Sequence, residues 1–167
     1  GATSATQSFT VTVNPINNAP TFVKGADVAA GAGLATTLAA WARGMSTGAE
    51  DERLQALSFV VTAADPSLFD VQPSITPDGT LAFAAKASAA GQSTTVTVRL
   101  QDDGGTAGGG VDLSAPQTFT INIGQAPVID PITDQTILEH GATPPINFAV
   151  VDADTAPGSV TVTAASG

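Results

Sequence analysis

Apolar and polar residues alternate in several short stretches of this chain, and two of those stretches are nearly the same sequence. Phe9, Val11 and Val13 alternate with Thr10 and Thr12, as Phe119, Ile121 and Ile123 do with Thr120 and Asn122. A period of two marks a strand with one buried face. The likeness runs outward from Ser4-Ala5-Thr6-Gln7-Ser8 against Ser114-Ala115-Pro116-Gln117-Thr118. It ends at the Ala19-Pro20 and Ala126-Pro127 that follow each strand. Proline has no N–H to give to a ladder, so pairing stops there and a new unit begins. Pro127 stands 107 positions after Pro20. The pattern is that of a tandem array.

A unit of that size can bury its own core, and the 167 residues hold one whole unit with parts of two neighbours. Residues 1–13 are expected to be the last strand of a preceding repeat and 14–20 the linker. Residues 20–124 are expected to be the complete repeat, and 125–167 the first strands of a following one. Alone, the first strand would expose Phe9, Val11 and Val13 along an open edge that something must cover. Turn signals cut the complete repeat into predicted strands at 21–28, 33–42, 57–64, 68–75, 80–85, 93–101 and 115–123. Pro77-Asp78-Gly79 is a strong turn, and the five glycines after Asp103 predict a loosely held loop. Within 33–42, Leu34, Leu38 and Trp41 have helical spacing. The matching stretch, residues 143–151, contains Pro144-Pro145, which argues for a strand in both places. Val160-Thr161-Val162-Thr163-Ala164 likewise matches Phe59-Val60-Val61-Thr62-Ala63. The expected fold is all-β, a seven-stranded sandwich repeated in tandem.

Charge narrows the partners. The net charge is −10, and the five basic residues are scattered, so no surface can neutralise a run of phosphates and nucleic acid is excluded as a partner. No apolar run approaches the roughly 18 residues of a membrane span, which argues against membrane insertion in this segment. There is no cysteine, hence no disulfide framework. Catalytic chemistry is poorly supplied. His140 is the only histidine, and no Gly-x-Ser-x-Gly elbow occurs. Asp102 and Asp103 are adjacent on a predicted strand and so point to opposite faces, whereas a glycosidase pair faces across a cleft. Trp41, beside seven phenylalanines and no tyrosine, suits core packing better than sugar stacking. The sequence is not expected to be an enzyme.

Phe9-Thr10-Val11-Thr12-Val13-Asn14-Pro15-Ile16-Asn17-Asn18-Ala19-Pro20 resembles the strand and linker of the tandem immunoglobulin-like and cadherin-like repeats of large bacterial surface proteins and adhesins. Gln101-Asp102-Asp103-Gly104-Gly105, followed by residues 114–121, is similar to their final two strands. The resemblance implies immunoglobulin-like (cadherin-like) sandwiches on the cell exterior, often with calcium between domains. Such repeats gather calcium's six to eight oxygens from the linker, an acidic loop after the second strand and the Asp ending the sixth. Here those places hold Asn14, Asn17 and Asn18; Glu50, Asp51 and Glu52; and Asp102 with Asp103. The linker has Asn where those repeats have Asp, which weakens a hard-cation site; the competing reading is a solvated acidic loop. At the second junction Asp152 and Asp154 form an Asp-x-Asp, with Glu139 upstream, although turn chemistry accounts for the same residues. Two functions are expected. One is a rigid, non-enzymatic extracellular spacer whose partners are neighbouring repeats. The other is a fibre subunit joined to neighbouring subunits by strand exchange.

Overall fold

A computed structural model describes residues 1–125, 128–142 and 144–151. Among the described residues, all of the regular structure beyond single helical turns is β. The strands are β1 (Thr21–Val23), β2 (Val28–Gly31), β3 (Ala35–Leu38), β4 (Arg43–Ser46), β5 (Leu57–Ala63), β6 (Phe69–Ile75), β7 (Leu81–Ala85), β8 (Ser93–Asp102), β9 (Gln117–Gly124), β10 (Val128–Ile129) and β11 (Val150–Val151). Four of them form a sheet in the order β2-β9-β8-β5, and three more a sheet in the order β3-β7-β6. β1 pairs with β4, and β10 with β11.

The core lies where inward rows of the two larger sheets meet. On β8 the buried residues are Thr94, Val96, Val98, Leu100 and Asp102, every second position, and on β9 they are Phe119, Ile121 and Ile123. Leu81 and Phe83 of β7 are buried in the same cluster. Trp41 is buried too, its ring 4.4 Å from that of Phe119, so its place is the core.

Two predicted segments differ in detail, and one strand is additional. Residues 21–28 are two strands rather than one. After β1 the chain bends through Lys24-Gly25-Ala26-Asp27 and β2 joins the other sheet, parallel to β9. The bend passes hard against the Trp41 indole, whose Nε1 donates to the Ala26 carbonyl at 3.0 Å. A Cβ on Gly25 would lie 2.5 Å from that ring, so only glycine fits. Asp27 then accepts from the Thr120 N–H, and the Gln117 side chain donates to the Phe22 carbonyl, so side chains bridge the gap in the ladder. Residues 33–42 contain the strand β3, as the proline pair of the matching stretch argued, but it is only four residues long. β4 has no counterpart among the predicted strands.

β10 and β11 echo β1 and β4. Val128 and Ile129 pair with Val151 and Val150, much as Thr21 and Val23 pair with Ser46 and Arg43. Among the described residues of the matching stretch, the strand is Val150–Val151, at its end. Residues 160–164 lie outside the described residues. Residues 1–13 form no strand in this chain; Phe9, Val11 and Val13 are 89%, 72% and 84% exposed.

Candidate functional site

Residues 14–20 meet the sheets at the Asp102 end of β8. Asp102 belongs to the inward row of that strand, so strand parity carries a carboxylate into the buried edge of the core, where it is 4% exposed. A buried charge must be met by hydrogen bonds. Asp102 Oδ1 accepts from Asn17 Nδ2 at 2.8 Å and from the Gly104 N–H at 3.0 Å.

Asn17 is fully engaged. Its Nδ2 also donates to the Val111 carbonyl, its Oδ1 accepts from Gln55 Nε2 at 2.8 Å, and its own carbonyl accepts from the Val111 N–H. Gly104 and Gly110 pack directly on it. A Cβ on Gly104 would lie 2.0 Å from Asn17 Oδ1, and one on Gly110 would lie 2.9 Å from Asn17 Cβ. The glycine-rich loop was expected to be loosely held. Its flanks are instead pinned to the linker and to β8, where the Asp102 N–H donates to the Asp112 carbonyl.

Glu52 forms the second anchor. Residues Glu50–Glu52 make a single helical turn, on which Glu50 and Asp51 are exposed and Glu52 is buried. Glu52 Oε1 accepts from the backbone N–H of Asn18 at 2.8 Å and from Asn18 Nδ2, while Oε2 accepts from the Ala49 N–H. The last bond is the reaching-back half of a capping box. These donors, the Ala49 N–H foremost, hold the Glu52 carboxyl below its ordinary value of 4.5 against the opposing effect of desolvation.

Of the residues picked out by sequence, Asn17, Glu52 and Asp102 are therefore joined at one junction. Asp103 is exposed and accepts from the Ala56 N–H at 2.9 Å. Glu50, Asp51 and Asn14 are exposed. Asp152 and Asp154 lie outside the described residues. Glu139 is exposed and sits 3.6 Å from the equally exposed His140, a pair worth little to stability. Sequence reasoning missed Gln55 and Val111. Neither carries a charge, and only the placing of Asp102 on the inward row of β8 signalled that uncharged partners would be needed beside it.

Calcium takes six to eight oxygens. At this junction the linker turns N–H groups, not oxygens, toward both buried carboxylates. Among the described residues no group of three or more His, Cys, Asp or Glu side chains is placed to hold a metal ion. The residues present do not fit a calcium site of the kind the resemblance implies. Among the described residues no helix is long and apolar enough to cross a membrane. No protein-family model matches the chain, and comparison with curated proteins finds no match.

Proposed function

We propose that the chain is part of an extracellular spacer, in which immunoglobulin-like β-sandwich repeats stand in series and hold an adhesive or structural element away from a bacterial cell surface. One observation carries this reading. The chain enters the complete repeat at the Asp102 end of β8 and leaves it at the Ser93 end, because Ser93 pairs with Asn122 just before β9 runs out at Gly124. Entry and exit are thus separated by the length of β8, roughly 30 Å at about 3.3 Å per residue. Repeats joined in this way add end to end. Each contacts only its neighbours, so their stabilities sum along the array.

A second reading, a fibre subunit linked by strand exchange, is favoured by the exposure of Phe9, Val11 and Val13 in a segment that matches β9. In β9, which lies between β2 and β8, the matching residues Phe119, Ile121 and Ile123 are buried in the core. The native polypeptide decides between them. On a denaturing gel with peptide mapping, a mass many times that of these 167 residues supports the covalent spacer. Small-angle scattering should then show a rod lengthening by roughly 30–40 Å per repeat. A compact particle refutes the spacer, and a mass near that of the 167 residues makes strand exchange the mechanism.

A further inference from the structure

We infer that the first junction is closed by the amide groups of Asn17 and Asn18 acting in place of a divalent cation, so that the linker is locked without calcium. Two buried carboxylates face the linker from elements far apart in sequence, Glu52 from the turn after β4 and Asp102 from the end of β8. Left unpaired, each would lose its hydration without compensation, the situation in which a bound cation stabilises a junction. Asn17 Nδ2 instead donates to Asp102, while the Asn18 N–H and Nδ2 both donate to Glu52. Hydrogen bonds to ionised acceptors are the strong kind. Both Nδ2 hydrogens of Asn17 are used, and its Oδ1 accepts from Gln55, so the side chain meets the carboxylate through its donor end.

Two buried oxygens here, Asp102 Oδ2 and Gln55 Oε1, accept no hydrogen bond. Two acceptors fall far short of calcium's six to eight.

The asparagines thus change the device rather than weaken it. A linker carboxylate at position 17 would set like charges face to face and require a cation; the amide there needs none. Because the test compares melting temperatures of variants with and without calcium, and not the mass or length of the polypeptide, the inference stands or falls independently of the spacer reading.

The test is to melt the full chain in chelator and in millimolar calcium, as wild type and as Asn17→Asp. The wild type should melt at the same temperature in both media. Asn17→Asp should melt several degrees lower in chelator and recover in calcium. Asn17→Ala should melt lower by the same amount in both. A wild-type melting temperature that rises with calcium would overturn the inference. Asn17→Asp melting like wild type in chelator would also overturn it, since the amide would then not be the donor that closes the junction.

Discussion

Gly104→Ala should release the linker without disturbing the backbone that carries it. Gly104 is not among the glycines with positive φ, so alanine can adopt its conformation. What alanine cannot do is share space. Its Cβ would lie 2.0 Å from Asn17 Oδ1 and 2.4 Å from both Asn17 Cγ and Gln55 Nε2. Those two side chains must move, and their movement breaks the bond from Asn17 to Asp102 and the bond from Gln55 to Asn17. A hydrogen bond to a charged group contributes about 1.5–3 kcal/mol and a neutral one about 1 kcal/mol. Alanine also restricts the unfolded chain, which offsets about 0.4–1 kcal/mol. The net cost is about 2–3 kcal/mol, a fall in melting temperature of roughly 10–20 °C for a domain of this size.

The assay is a thermal melt followed by circular dichroism, run as a double-mutant cycle with Asn17→Ala. Removing the Asn17 side chain removes most of the clash, so Gly104→Ala should cost little more in that background. The coupling between the two should reach about 1–3 kcal/mol. Additive effects, or a Gly104→Ala protein that melts at or above wild type, would refute the docking of the linker on this loop.

Three further outcomes follow from named contacts. The Glu52 carboxyl is held below its ordinary 4.5, so its stabilising effect is complete above that pH and is lost as pH falls through the lowered folded value; Glu52→Gln should flatten this part of an acid titration of stability. Ser114 is buried, and its Oγ accepts from the Leu100 N–H at 2.8 Å, so Ser114→Ala leaves that donor unpaired in the core and should cost about 1–3 kcal/mol in a urea melt. Gly25→Ala forces a methyl against the buried Trp41 ring and should cost about 1–3 kcal/mol, with a shifted tryptophan emission as a second readout.

Where one face of a strand is buried along its whole length, the alternation of residues was enough to place it. β8 and β9 fall within a residue or two of the predicted 93–101 and 115–123. The bend between β1 and β2 was not legible, because its cause is Trp41, distant in sequence, pressing on Gly25. β4 was missed for a related reason. Arg43-Gly44-Met45-Ser46 is short and has no buried residue, so it leaves no periodic signal and is a strand only through its pairing with β1. At the junction, the sequence marked three regions that the fold brings together. It did not distinguish Glu52 from Glu50 and Asp51, since which side of a single turn faces the linker is decided by tertiary contact. It also gave the asparagines the role of oxygen ligands. An amide carries both a donor and an acceptor, and only its surroundings decide which end faces a carboxylate.

The two ends of residues 20–124 would resist tension in different ways. At the entry end, Asn17 is tied to residues 85 and 94 positions away, so the linker cannot swing without breaking contacts that also hold the end of β8 and the glycine loop. Toward the exit end, β2 lies parallel to β9 from Val28–Ile121 to Gly31–Gly124. The strand near the chain's entry and the strand at its exit therefore run side by side in the same direction. Tension drawing the two ends apart slides one along the other, so the load falls across the ladder bonds together instead of opening them one by one. An antiparallel pair pulled from one end would open bond by bond. The bend at Gly25 makes this parallel pairing possible, because it carries the first strand from one sheet to the other. The local irregularity that strand alternation failed to predict is thus the feature that sets a parallel pair of strands along the line from entry to exit.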